Sequence, residues 1–317
     1  MSIIYAFNGD ADGICSAVQL YREAPQPDAR VVTGRKRDIN LLSRVQAAAG
    51  DLIYALDISM RSNMDDVRRL LADGAQIIYA DHHNAGDIPA HKNLTAMIDT
   101  SPRICTAAII DMALGGAYRA WAVTAAYGDN FPALAKAYAT GHNLPLGKLR
   151  EFGELLNYNG YGGSEADLHI QPAKLFTSLR EFDTPMQAIS VCPDVFQILK
   201  DGFDSDWDHA RDGKIIHDTS AVHILELPNA AASRRISGTL GNRLALDHPA
   251  RAHAILTAQD GGWLVSIRAP KNASLGADKI AIDFETGGGR AAAAGINHLP
   301  SADLARFIIA MAARYTI

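Results

Sequence analysis

The sequence predicts an α/β protein: a parallel, doubly wound sheet in the N-terminal part, followed by a smaller α/β domain. Three observations carry this. Short apolar runs, "SIIYAF", "ARVVT", "DLIYALDIS" and "AQIIYADHH", alternate with helical stretches through the first half of the chain. These runs are apolar throughout rather than alternating, the pattern of strands covered on both faces. A chain of 317 residues is also long for one hydrophobic core, so two domains are expected.

The elements follow in order. "SIIYAF" reads as a strand and Gly13–Glu23 as a helix. "ARVVT" is the second strand, and Ile39–Ala49 reads as a helix with Asp38 as its N-cap. "DLIYALDIS", a helix over Met60–Leu71 and the strand "AQIIYADHH" complete the alternation, which implies parallel strands with right-handed crossovers. From Arg103 to about Leu199 the pattern is helical, interrupted by the glycine-rich "NYNGYGGSEADLH". Strands return with "KIIHD", "AVHILEL", "RAHAILTAQ" and "GWLVSIRA", flanked by helices near Arg235–Ala245 and Ala302–Tyr315. The expected organisation is a domain over 1–185, a linker over 186–212 where "SDWDHARDG" reads as charged and turn-like, and a domain over 213–317.

Composition narrows the function classes. No apolar run is long enough for a transmembrane helix, and the N-terminus enters an acidic motif with no charged leader before it, so no signal peptide is expected. The three cysteines, Cys15, Cys105 and Cys192, are odd in number and far apart. This fits a reducing, cytoplasmic setting and neither a disulfide framework nor a zinc ribbon. A net charge of −5 argues against tracking a long nucleic acid and for a small anionic substrate.

In an open parallel sheet, ligands bind beyond the carboxyl ends of the strands. The first strand ends in Asn8, Asp10 and Asp12, the third in Asp57, and the fourth in Asp81, His82 and His83; a helical stretch delivers Asp129 from "AYGDN". Singly, each has an ordinary reading: Asp57 as a helix N-cap, "DHH" as a solvated turn, Asp129 as a cap of the "PALAKAY" helix, "NGDADG" as a calcium-like loop or a turn. Together they crowd like charges at one sheet edge, a cost that bound divalent cations would relieve. A mixed carboxylate and imidazole set suits Mn²⁺, with Mg²⁺, Fe²⁺ or Co²⁺ as alternatives.

The ordered set "NGDADG", "ALDIS", "ADHH" and "YGDN", followed by "GGGRAAAAG" behind "LVSIRA", resembles the motifs of the DHH phosphoesterase superfamily with its C-terminal DHHA1 domain. That superfamily includes RecJ-type exonucleases, nanoRNases and relatives of exopolyphosphatase. The resemblance spans nearly the whole chain and implies two metals. Asn8, Asp10 and Asp57 would hold one; Asp12, Asp57, His82 and Asp129 would hold the other. His83 would contact the phosphate, and Asp81 would support the histidines or assist proton transfer. Such a pair of ions acidifies a bridging water and neutralises phosphoryl oxygens during in-line attack. Two positions depart from the pattern: Asn8 stands where relatives carry Asp or His, and Arg290 where they carry His.

Gly287, Gly288 and Gly289 permit close approach of backbone N–H groups to an anion, and Arg290 adds a bidentate charge; the alternative is a hairpin that only packs the small domain. Arg268 would face the cleft. Arg35, Lys36 and Arg37 lie near the carboxyl edge and would hold a distal phosphate, or form a solvated charged face. Tyr158 and Tyr161 would stack a base or pack a loop. The expected activity is hydrolysis of short oligonucleotides or small nucleotide phosphodiesters by metal-activated hydroxide in the interdomain cleft. The alternatives are an exopolyphosphatase or pAp-type phosphomonoesterase, and a nucleotide-binding sensor with reduced catalysis. The expected partner is the small phosphate substrate, without long nucleic acid or membrane, and a homodimer is allowed for.

Overall fold

The computed structural model describes residues 1–315. It divides into two units, Met1–Asp201 and Gly202–Ile317. The first opens with β1 (Ile3–Phe7), α1 (Ala11–Glu23), β2 (Arg30–Thr33), β3 (Leu52–Leu56), α2 (Met64–Ala72), β4 (Gln76–Asp81) and β5 (Leu94–Ile98). The strands run parallel in the order β2-β1-β3-β4-β5. Sheet order reverses at β1: β2 lies on one side, β3 to β5 on the other. Such a reversal opens a crevice beyond the carboxyl ends of β1 and β3.

The helices α3 (Thr106–Ala113), α4 (Arg119–Gly128), α5 (Pro132–Ala139), α6 (Leu146–Asn159), α7 (Pro172–Leu179), α8 (Pro185–Val191) and α9 (Pro193–Ala210) follow. Proline stands in the first turn of α5, α7 and α8, where its missing N–H costs nothing. Thr184 and Gln187 add a reciprocal capping box to α8. The strands are apolar because both faces are covered. Ile4 and Ala6 join one core with Ile53, Ala55, Ile77 and Tyr79. Tyr5 and Phe7 face the opposite side, where Phe176 of α7 packs at ring-centroid distances of 5.5 and 5.3 Å. Burying Phe176 contributes about 1.5–3 kcal/mol.

Several expectations are corrected. Ile39–Ala49 is not an α-helix; only a 3₁₀ turn forms, over Leu41–Arg44. Its backbone groups bond elsewhere: the Leu42 N–H donates to Asn63 Oδ1 at 3.1 Å and the Ile39 carbonyl accepts from Asn63 Nδ2 at 2.7 Å. Asp38 is no N-cap; it grips the Arg35 guanidinium. β3 stops at Leu56 because Asp57 takes φ 56°, which turns the chain out of the sheet. Strand β5 is not foreseen by the sequence pattern. The stretch 193–210, assigned to the linker and read as turn-like in its last part, is helix α9, and the division between the units falls within it.

The second unit contains β6 (Lys214–Asp218), β7 (Val222–Leu227), α10 (Ala231–Asp247), β8 (Ala252–Gln259), β9 (Gly262–Arg268), α11 (Ala277–Ala281), β10 (Gly287–Arg290), β11 (Ala293–Pro300) and α12 (Leu304–Tyr315). Its sheet has the order β10-β11-β9-β8-β7-β6, with β7 and β8 parallel and the other pairs antiparallel. Phe284, Phe307, Met311, Val265 and Ile267 form its core. Asp206 and Arg235 form a buried bidentate pair at 2.7 Å. Among the described residues, no helix is long and apolar enough to cross a membrane.

Candidate metal centre

The centre begins where β1 ends. Asp10 caps α1: its Oδ1 accepts from the N–H groups of Asp12 and Gly13 at 3.0 and 3.1 Å. Capping at Asp10 places Asp12 in the first turn, which explains the two-residue spacing. Two glycines allow the loops to close. A Cβ on Gly9 would lie 1.7 Å from the Gly34 carbonyl oxygen, and one on Gly13 2.1 Å from the Asn8 carbonyl oxygen.

Asp12 is fully buried, and each of its carboxylate oxygens accepts one N–H at the start of α3, from Ala107 and Thr106, both at 2.7 Å. Asp57 Oδ1 accepts from the Thr106 hydroxyl at 3.0 Å. Asp57 holds a left-handed backbone, a conformation that Asp tolerates better than most side chains. From β4, His82 places Nε2 3.5 Å from Asp57 Oδ1, 3.7 Å from Asp129 Oδ2 and 3.9 Å from Asp12 Oδ2. Its Nδ1 lies 2.9 Å from the Ile104 carbonyl. A carbonyl can only accept, so Nδ1 carries a proton and Nε2 is the ring nitrogen placed to ligate a cation among the three carboxylates. His83 is half-exposed, and its Nδ1 is 2.7 Å from Asp81 Oδ1. Two triads offer ligand atoms within 4.8 Å of one another, Asp12–His82–Asp129 and Asp57–His82–His83.

Lys36 enters the same cluster. Its Nζ donates to Asp10 Oδ2 at 2.5 Å, Asp129 Oδ1 at 3.1 Å and Asn157 Oδ1 at 2.8 Å. Electrostatics follow from this arrangement. Burial, then the charges of Asp12, Asp10, Asp129 and Asp81, push Asp57 well above the usual carboxylate range. Burial, reinforced by Asp129 and Asp10, also raises Asp12 against the pull of His82. For Asp10 burial works the same way, but Lys36, the Gly13 N–H and a bond with Asp57 outweigh it and hold the carboxyl below that range. His83 is raised: burial opposes its charge, and Asp81 overcomes it.

The remaining expected site residues fall elsewhere. Lys36 sits in the centre instead of on a distal phosphate. Arg35 is held by Asp38 and the Gly163 carbonyl, and Arg37 is exposed. Tyr158 is buried, with its hydroxyl 2.8 Å from His169 Nε2; Tyr161 lies under Lys36 Nζ at 5.4 Å. Asp129 is the C-cap residue of α4, not a cap of α5. In the second unit, Arg268 donates to Asn242, Ser266 and the Gly238 and Ile267 carbonyls. Gly287, Gly288 and Gly289 form edge strand β10, paired with β11, and Arg290 is exposed at its end. Sequence reasoning missed Thr106, Ile104 and Asn157. The first two act largely through backbone groups, which leave no mark in the side-chain pattern; Asn157 was visible only as a polar residue in a helix otherwise rich in buried apolar ones. It also missed Phe131, whose ring meets His82 edge-on at 5.8 Å. Phe131 lines a groove of about 370 Å³ with Arg103, Asn130 and Leu134.

The donor set fits a divalent cation. Clustered carboxylates surround an imidazole nitrogen, and Asn8 Oδ1 and Asp81 Oδ2 are buried with no hydrogen-bond partner, as expected of atoms awaiting a cation or a bound group. A family model described as the DHH family, N-terminal domain, matches residues 1–141. No curated protein matches the chain in sequence. Among solved structures, an exonuclease RecJ bound to manganese is 17% identical with a TM-score of 0.65, covering 99% of this chain and 89% of its own. The pGpG-specific phosphodiesterase of Vibrio cholerae is 15% identical with a TM-score of 0.53, covering 99% and 98%. An exopolyphosphatase-related protein of Bacteroides fragilis is 13% identical with a TM-score of 0.52, covering 99% and 92%. At these identities the likeness is one of fold. The motif residues gathered at the switch point of the sheet lie within the matched segment, and residues 1–141 form a DHH-family N-terminal domain.

Proposed function

We propose that the chain is a metal-dependent phosphoesterase acting on a short oligonucleotide or a small nucleotide phosphodiester. The observation that carries this is the environment of His82 Nε2. With Nδ1 held by the Ile104 carbonyl, this nitrogen stands among Asp57, Asp129 and Asp12 at 3.5–3.9 Å. Bound there, Mn²⁺ or Mg²⁺ would supply Lewis-acid neutralisation of phosphoryl oxygens and lower the pKa of an attacking water. Asp12, Asp57, His82 and Asp129 would hold the ion. His83, held at Nδ1 by Asp81, whose carboxylate favours the protonated ring, would turn its other nitrogen to bind a phosphoryl oxygen and to donate a proton from Nε2 to the leaving oxygen. The groove beside Phe131 offers an aromatic wall and Arg103 for a nucleoside and its phosphate.

The test is a substrate panel with Mn²⁺ and with Mg²⁺: dinucleotides to pentanucleotides, pGpG, pAp and polyphosphate. The expected result is release of mononucleotides, abolished by Asp57→Asn. Phosphate release from polyphosphate alone would replace the substrate class, and no hydrolysis of any member would overturn the enzymatic reading.

A further inference from the structure

Asn8 and Lys36 are two unusual features of one centre, and the structure makes them one device. We propose that the Lys36 ammonium stands permanently in the place of one cation, so that the centre binds a single divalent ion. This rests on the metal-dependent reading above and goes beyond it in setting the metal count.

Four observations carry the inference. First, the ammonium is saturated: its three N–H donors meet Asp10 Oδ2, Asp129 Oδ1 and Asn157 Oδ1. Second, those bonds occupy the ligands a second ion would need. Asp10 has its other oxygen on two backbone N–H groups. Asp129 divides its carboxylate, Oδ1 to Lys36 and Oδ2 toward His82 Nε2. Third, Asn8 Nδ2 donates to the Lys36 carbonyl at 3.1 Å. A carboxylate at position 8 could not donate, and would set acceptor against acceptor there. The neutral residue that weakens a metal site is the residue that holds Lys36 in it. The remaining Asn8 Oδ1 carries no charge, which makes it a poorer ligand for a divalent ion than a carboxylate would be. Fourth, Lys36 is not a mobile surface side chain. It is four-fifths buried, its N–H donates to the Gly160 carbonyl at 2.9 Å, and the approach of Gly9 to Gly34 fixes its loop.

The chemical consequence is a centre in which one positive charge is supplied by the chain and cannot be chelated away. The single ion sits with Asp12, Asp57, His82 and Asp129.

The experiment counts metal on the full-length chain. Protein stripped with EDTA is dialysed against MnCl₂, bound manganese is measured by elemental analysis, and the electron paramagnetic resonance spectrum is recorded. The expected result is one Mn²⁺ per wild-type chain with no exchange-coupled signal. The Asn8→Asp, Lys36→Ala double variant, confirmed folded by circular dichroism, should bind two and show Mn–Mn coupling. Two ions in the wild type would overturn the inference and leave the metal-dependent reading standing. One ion in both proteins would overturn the exclusion of a second ion by Lys36. No ion in either would overturn the metal-dependent reading and the inference with it. Two ions in the wild type overturn the inference whether or not the double variant folds, and if it does not fold the Lys36→Ala single variant supplies the second count.

Discussion

Replacing Asp12 by Asn should destabilise the metal-free protein, and replacing Asp57 by Asn should not, although both changes remove a carboxylate from one centre. Asp12 accepts from the Thr106 and Ala107 N–H groups at 2.7 Å each. Cys105, at the N-cap position of α3, offers no side-chain bond, so Asp12 serves as the cap of that helix. A hydrogen bond to a charged group contributes about 1.5–3 kcal/mol, and a buried donor left unpaired costs about 1–3 kcal/mol. Asparagine keeps one acceptor and turns an NH₂ toward the other N–H. Relief of the burial and repulsion that raise Asp12 offsets part of this. The net loss is about 2 kcal/mol, a fall of roughly 4–8 °C in melting temperature for a unit of this size. Asp57 accepts from the Thr106 hydroxyl, which an amide oxygen replaces. Its charge is opposed by burial and by Asp12, Asp10, Asp129 and Asp81, and Asn tolerates its φ of 56°. The Asp57→Asn protein should therefore melt at or above the wild-type temperature in EDTA at neutral pH. On adding Mn²⁺ at about 100 times its Kd, the wild type should gain about 2.7 kcal/mol and neither variant should follow. Calorimetry under both conditions measures all of this. Equal destabilisation by the two changes in EDTA would refute the assigned roles.

Three further outcomes are expected. Asp57 and Asp12 are raised above the ordinary 3.8, so their contribution to metal-free stability is present below that pH and is lost as pH rises through their folded values. Mn²⁺ must displace those protons, so its affinity should rise with pH above the ordinary 3.8 and binding should release protons; calorimetric titration in buffers of different ionisation enthalpy reads this, and pH-independent affinity would contradict it. Gly9→Ala puts a Cβ 1.7 Å from the Gly34 carbonyl oxygen, and should lower the urea midpoint by the equivalent of about 3 kcal/mol or more; an unchanged midpoint would mean that the loops do not meet. His253, buried beside His223, His248 and Arg251, is lowered from 6.5 to about 4. The folded protein resists protonating it, so about 3 kcal/mol is lost as pH falls from 6.5 toward 4. Acid unfolding followed by circular dichroism should shift to lower pH in His253→Gln, and an identical midpoint would remove His253 from the account.

The legible part of the site was the part carried by side-chain identity at strand ends. Asp10, Asp12, Asp57, His82 and Asp129 could be placed together because parallel strands deliver their carboxyl ends to one edge, and the structure gathers them there. Lys36 was read as basic and near that edge, but its direction was not readable. Whether it turns outward to a phosphate or inward to Asp10 depends on Gly9 meeting Gly34 and on Asn157 arriving from α6. The Ile39–Ala49 helix failed for a related reason. Its local pattern favours a helix, but Asn63 claims the Ile39 carbonyl and the Leu42 N–H, and that competition is invisible at short range.

Sequence by itself determined the positions of β1 to β4, the doubly wound class and the acidic and imidazole residues of the centre. Apolar runs and strand-end residues are local, and local sterics and burial dictate them. Only the tertiary structure decided which nitrogen of His82 is free, that Asp12 caps α3, and that an ammonium stands among the carboxylates. Each of these depends on a backbone carbonyl, a backbone N–H or a loop contact from a distant segment, and the linear order of side chains does not encode where those groups will point.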